Sequence, residues 1–371
     1  MPTVEMQEIR QLARQFAEAE LRPHVEKWDH DARLDESALK QLAELGFFGM
    51  LIPESYGGME FDLPTYVSVI EELAWGEPSV ALTVAATSFV ANLIVQNGSD
   101  EQKRKWLEPI ARGEALACFA MSEEDAGSDA ASLTARATRD GAEWVLNGEK
   151  KWVTNGRIAQ LALVLARTGP SENGVRGIGA FLVPTSAEGY RVGKRETTMG
   201  FRPLEIVTVG LDNLRVDGDA VLGEPAQGFL YASQTLDIGR LAISAIAVGI
   251  AQAALDHATG YADIREQFGE KLRKFEGMQF KLADMATRVE ASRALLQRVA
   301  AEPSSKLSSM IKLFASESAM WVTTNAVQIY GGYGYMRDYP VEKLMRDAKA
   351  TEILEGTNEI QRVLIARELY K

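Results

Sequence analysis

The chain has 371 residues, 46% hydrophobic and 25% charged, with a formal net charge of −12. That is an ordinary globular composition, long enough for two or three cores, and its acidic balance argues against a nucleic-acid-binding face and gives no support to an anionic membrane surface as partner. Cys118 is the sole cysteine, so no intrachain disulfide can form, and His24, His30 and His257 lack zinc-site spacing. A reducing compartment and no metal are therefore expected. The opening MPTVEMQEIRQLARQF carries Glu5 and Glu8 and has neither the apolar core of a signal peptide nor the acid-poor character of a transit peptide. No stretch reads as long and apolar enough to span a membrane. The expected location is the cytoplasm, without membrane insertion.

Residues 1–117 read as helical. Ile9, Leu12, Ala13, Phe16 and Ala17 keep a 3.6-residue period, as do Leu39, Leu42, Ala43 and Phe47. LIPESYGG (51–58) is turn-like, and 64–97 is apolar and helix-compatible. From Thr134 to Val216 short alternating runs predict strands: EWVLNGEKKWVTNG, with Asn147-Gly148 as a hairpin turn, then LALVLAR (161–167), GAFLVP (179–184) and IVTVGLDNLRV (206–216). Helical periodicity returns near 228, in a long helix through Leu236, Leu241, Ile243 and Ile246, then over 279–299, 305–328 and 358–369. Helices, then strands, then helices predict a mainly α protein with a central β-domain, a small barrel or sandwich. The expected division is 1–117 all-helical, 118–227 β, and 228–371 a helical bundle.

No Rossmann glycine motif, P-loop or nucleophile elbow is present. Three segments stand out. In AMSEEDAGSDAAS (120–132), small residues and hydroxyls surround Gly127, which suits either close approach of a ligand or a polar loop. In QIYGGYGYMRD (328–338), Gly331, Gly332 and Gly334 either cap a helix or cradle phosphate oxygens. In ILEGTNEIQRVLIAREL (353–369), Thr357 or Asn358 can cap a helix. Glu355 just ahead of it is either a carboxylate favoured by the helix terminus or a base on a turn.

Together these segments resemble the acyl-CoA dehydrogenase family over nearly the whole chain. Ala120-Met121-Ser122-Glu123, Ala126-Gly127-Ser128-Asp129 and Ser132 resemble its first signature, although Glu124-Asp125 follow where Pro is usual. Gln328, Gly331, Gly332, Gly334, Tyr335, Asp338, Lys343 and Asp347 fit the second. Trp152-Val153-Thr154-Asn155-Gly156 fits a flavin-side strand and Arg265 to Gly269 a further motif.

The resemblance implies a helical domain, a β-domain and a C-terminal four-helix bundle, with FAD between the last two, completed by a neighbouring subunit of a homotetramer built as a dimer of dimers. It implies flavin-ring contacts from Phe119, Met121, Ser122, Trp152 and Thr154. Arg265, Gln267, Phe268, Phe275, Gln328, Gly331 and Gly332 would meet the distal end of FAD, across the dimer. Thr357 and Glu359 would be further FAD contacts. Ser128, Asp237, Arg240, Gly356 and Arg367 would contact acyl-CoA. Glu355 would take the α-proton while hydride leaves for flavin N5, giving a trans-2-enoyl-CoA, with electrons passing to an electron-transferring flavoprotein. Gly239 occupies the place where some members carry the base on a bundle helix. VALTVAATSFVANLIV (80–95) has no Lys or Arg, which favours a neutral acyl chain. An acyl-CoA oxidase or flavin monooxygenase on the same scaffold, and a non-catalytic FAD- or CoA-binding scaffold, are the alternatives.

Overall fold

In the computed structural model, which describes residues 4–370, helices lead into one sheet and the chain then returns to helices. The first region holds α1 (Val4–Phe16), α2 (Val25–Asp31), α3 (Glu36–Glu44), α4 (Leu63–Gly76), α5 (Pro78–Asn97) and α6 (Asp100–Ala111). Only Glu77 separates α4 from α5. Its carboxylate accepts from the Ser79 amide at 3.0 Å, and Pro78 takes the first turn, where a missing N–H costs nothing. Ser99 and Gln102 form a reciprocal capping box on α6.

Two helices correct the sequence reading on membrane-spanning length: α5 and α7 (Gly228–Ile264) both reach a mean hydropathy of 1.7. Their apolar windows are 89% and 83% buried inside the protein, so the apolarity serves the core, where a helix packed on all sides is apolar all round.

The strands are β1 (Ala117–Ala120), β2 (Arg136–Asp140), β3 (Glu143–Thr154), β4 (Leu161–Arg167), β5 (Ile178–Pro184), β6 (Tyr190–Arg195) and β7 (Ile206–Asp217). They form one sheet in the order β1-β4-β2-β3-β7-β6, with β5 antiparallel to β4. The expected Asn147-Gly148 hairpin is absent. Both flanks belong to β3 and pair with β7, and the register slips at Gly148, a bulge at φ 142°. A Cβ there would fall 2.7 Å from Ala135 Cβ, so glycine is needed for close approach rather than reversal. The reversal lies one step earlier, at Gly141-Ala142 between β2 and β3, with Gly141 at φ 63°.

After α7 come a small hairpin, β8 (Glu266–Gln267) with β9 (Glu270–Lys271), then α8 (Glu276–Ala301), α9 (Ser305–Tyr330), α10 (Pro340–Thr351) and α11 (Asn358–Leu369). Helix α7 is the axis of the molecule, packing on α9, α8 and α10 of its own region and on α4 and α5 of the first. Helix α10 went unread in the sequence because buried charges break its apolar period. Lys343 Nζ lies 2.7 Å from Asp347 Oδ2 and 3.1 Å from Glu77 Oε1, and Asp347 Oδ1 accepts from the Phe201 amide at 2.6 Å. That buried triad ties α10, the α4–α5 elbow and the β6–β7 loop together at one point.

Candidate active site

The turn between α10 and α11 carries Glu355 at φ 56° and Gly356 at φ 86°. A left-handed glutamate costs on the order of 1 kcal/mol or more and persists only where its surroundings enforce it. Here Gln361, fully buried, donates from Nε2 to the carbonyls of Gly356 at 2.9 Å and Glu355 at 3.2 Å. The Thr357 hydroxyl accepts from the Ile360 amide at 3.4 Å and starts α11.

The twisted backbone aims the half-buried carboxylate at α7. A Cβ built on Gly239 would stand 2.4 Å from Glu355 Oε2 and 3.5 Å from Phe89 Cδ2. Glycine thus leaves the carboxylate its space, and the two positions the sequence raised for a base converge on one spot. Burial raises the Glu355 pKa; the charges of Arg240 and Lys312 pull it back.

Arg240, next along α7, is buried. Its Nη1 donates to Asp237 Oδ1 at 2.8 Å, while its Nε has no partner among the described residues. The expected substrate contacts Asp237, Arg240 and Gly356 therefore gather around Glu355. Ser128, in the exposed loop after β1, and Arg367, exposed nine residues beyond Asn358 and so about 14 Å along α11, are not brought into that group.

The sheet edge supplies the opposite wall. Phe119, on β1, packs against Phe89 with ring centroids 5.0 Å apart, which joins β1 to the Glu355 pocket. Met121 and Ser122 follow it, half-buried. Their backbone is set from below: the Lys151 amide donates to Ser122 O at 2.8 Å, and the fully buried Lys150 donates from Nζ to Met121 O at 3.0 Å and Glu123 Oε1 at 2.7 Å. Glu123 also accepts from the Thr134 and Ala135 amides. A second bulge in β3, between Lys150 and Val153, turns Trp152 outward at φ 56° and leaves it 55% exposed beside half-buried Thr154.

A second cluster lies at the far end of the bundle. The Arg265 guanidinium sits 5.4 Å over the Tyr333 ring, and Phe268, at φ 56° on the β8–β9 turn, is 96% exposed with Phe275 edge-on to it at 6.3 Å. Gln267 and Gln328 are exposed nearby in sequence and on α9's last turn. Gly331 (φ 60°) and Gly332 face open space. Gln328 lies sixteen residues along α9 from Lys312, about 24 Å, so one chain does not bring this cluster to Glu355. Glu359 points to solvent beside Arg362. Lys312, Gln361 and Lys150 escaped the sequence reading. The signal was present in Lys150, a lone cation between the inward-facing Trp144 and Leu146 and the end of β3; the α9 face around Lys312 also carries Ser308, Ser309 and Ser316 and so gave none.

The chain matches family models along nearly its whole length: acyl-CoA dehydrogenase N-terminal domain over residues 3–114, middle domain over 118–214 and C-terminal domain over 226–370. It is 44% identical to the probable acyl-CoA dehydrogenase FadE25 of Mycobacterium tuberculosis, over 99% of this chain and 96% of that one. It is 42% identical to the short-chain specific mitochondrial acyl-CoA dehydrogenase of Sus scrofa, over 98% and 90%. The structure of butyryl-CoA dehydrogenase from Megasphaera elsdenii superposes with a TM-score of 0.98 at 39% identity, covering 100% of this chain and 99% of that one. Fold and site together define a flavin-type oxidoreductase scaffold with a carboxylate held against a bundle helix. The chain belongs to the acyl-CoA dehydrogenase family.

Proposed function

We propose that the protein oxidises a neutral, short acyl-CoA to its trans-2-enoyl-CoA with Glu355 as the base. The observation that carries this is the left-handed Glu355, its carboxylate pressed on Gly239, where burial raises its proton affinity. A free carboxylate is a weak base toward an α-proton; desolvation strengthens it, and Arg240 with Lys312 keeps it ionisable. Phe89 and Phe119 shield the site from water, which makes each remaining dipole count for more. Helix α5, which bears Phe89, carries no charged side chain and so suits a neutral acyl group. The relatives named for short-chain and butyryl substrates support a short one.

Two features suit FAD. Trp152 and Phe268 hold large rings in solvent on left-handed backbone, a double cost that a flat aromatic ligand would offset. Gly331 and Gly332 leave room for a close anion beside Arg265. Trp152, Thr154, Phe119, Met121 and Ser122 would hold the ring end; Arg265, Gln267, Phe268, Phe275, Gln328, Gly331 and Gly332 would hold the distal end, with Thr357 and Glu359 as further contacts. When bound, FAD supplies the acceptor for the β-hydride. Ser128, Asp237, Arg240, Gly356 and Arg367 are proposed to hold the CoA ester. A homotetramer, an electron-transferring flavoprotein as acceptor, a cytoplasmic setting, and domains divided at 117/118 and 227/228 complete the proposal, on the strength of family resemblance.

The test is Glu355→Gln. The variant is expected to stay folded and yellow while anaerobic butyryl-CoA no longer bleaches its flavin. Normal bleaching would identify another base.

A further inference from the structure

Lys312 lies on α9 with its side chain fully buried. Its Nζ donates to the Glu352 carbonyl at 3.0 Å and to Asn358 Oδ1 at 2.8 Å, both neutral acceptors. Those acceptors are the two feet of the Glu355 turn: the carbonyl at the end of α10 and the first residue of α11. The feet are also joined to each other, Asn358 N donating to Glu352 O at 3.0 Å, and Ser316 Oγ reaches Asn358 Oδ1 at 3.1 Å. A neutral amide could make such bonds. Burying an ammonium instead carries a desolvation cost, which points to a use for the charge itself.

We infer that Lys312 is a positioning residue for the base: it pins both feet of the turn and supplies, beneath it, the second positive charge acting on Glu355. The inference rests on Glu355 being the base. The groups around that carboxylate come from each packed element. Helix α7 brings Arg240, whose charge is shared with Asp237. Helix α4 brings Tyr66, buried, whose hydroxyl feels the Glu355 charge. Helix α9 brings Lys312, which also feels Glu352 from the turn and Glu359 from α11. Among these charges Glu355 acts most strongly on Lys312, whose own pKa burial lowers to about 8. The coupling is reciprocal. Removing the lysine charge makes Glu355 hold its proton to higher pH, so the acid limb of the reaction moves in the alkaline direction.

Lys312→Gln keeps a donor and removes the charge; Lys312→Arg keeps the charge. Flavin reduction by butyryl-CoA is followed against pH in the holoenzymes. The Glu355 carboxyl is titrated separately by infrared difference spectroscopy, its band assigned by loss in Glu355→Gln. In Lys312→Gln both midpoints are expected to rise by about one pH unit, with reduction at a pH below the wild-type midpoint down about tenfold and recovering as pH rises. KM changes little, and Lys312→Arg restores the wild-type midpoint. An infrared midpoint unmoved in Lys312→Gln overturns the inference, even with activity lost, since that pattern belongs to a merely structural lysine. If butyryl-CoA leaves the wild-type flavin oxidised, the functional reading is at fault, and the infrared titration still decides on Lys312. Should Lys312→Gln not fold, Glu355→Gln gives the reciprocal measurement: Lys312, read by selective isotope labelling, is expected to lose its proton at lower pH than in wild type, and an unchanged midpoint overturns the coupling.

Discussion

Gly239 and Glu355 share a space too small for two side chains. Gly239→Ala puts a methyl group into the carboxylate, and because Gly239 lies in α7 no backbone strain confuses the result. The expected outcome is a folded, flavin-loaded protein whose flavin reduction is at least about tenfold slower, because the base is displaced from its line of attack. Stopped-flow bleaching checks it; an unimpaired rate would mean that the carboxylate works from elsewhere. The environment of Glu355 also fixes the direction of a pH effect. Burial raises its pKa, so the carboxyl is protonated and inactive at a pH where an ordinary glutamate is already ionised. Activity should rise with pH through a midpoint above the usual carboxylate range. An acid limb at the ordinary glutamate value, in a profile of kcat/KM, would count against this reading. Glu355 was legible in the sequence through the pattern around it. Its left-handed backbone was not, nor the bonds from Gln361, because both arise from contacts five residues apart or more.

At the scale of elements, β3 does the most to shape the site, and its course was misread at Asn147-Gly148. Asn-Gly is a strong signal for reversal, yet glycine serves equally where a strand must bulge past a neighbour, and only the pairing partner distinguishes the two. A strand paired to β7 along both halves cannot also fold back on itself. The two bulges break β3's alternation and turn Trp152 outward. Behind them, Glu123 collects the Lys150 ammonium, two backbone amides and the Thr134 hydroxyl. Glu123→Ala strands a buried lysine and frees the β1 end that carries Met121 and Ser122. A loss of about 3 kcal/mol is expected, as for other broken buried pairs. It should appear as a lower melting temperature together with weaker flavin retention. A variant as stable as wild type would reduce Glu123 to a surface-type contact. Helix α10 was missed for the converse reason: its inward face contains Lys343 and Asp347, acceptable there only because Glu77 and the Phe201 amide arrive from distant parts of the chain.

Across the whole molecule, the order helix, strand, helix was readable because each region keeps its own period. The assembly of the site was less so. Arg265, Phe268, Gln328 and the Gly331-Gly332 turn stand roughly 24 Å along α9 from the region of Glu355, facing solvent. A cluster so exposed and so far from the base in its own chain fits a cofactor shared with a second copy. Arg265→Ala is expected to fold and assemble normally but to lose flavin on gel filtration, seen as a lower ratio of flavin to protein absorbance. Full retention would remove Arg265 from the proposed contacts.

The junction of Glu77, Lys343 and Asp347 has a bearing on how the protein tolerates heat. Glu77 caps the helix that bears Phe89, Asp347 holds an amide of the β6–β7 loop, and both depend on a lysine about two turns before the chain enters the Glu355 loop. The three regions thus share one keystone, and none can loosen without withdrawing a buried partner from the other two. Catalysis and architecture should therefore fail together on warming, with no half-molten form in which the enzyme is crippled but whole.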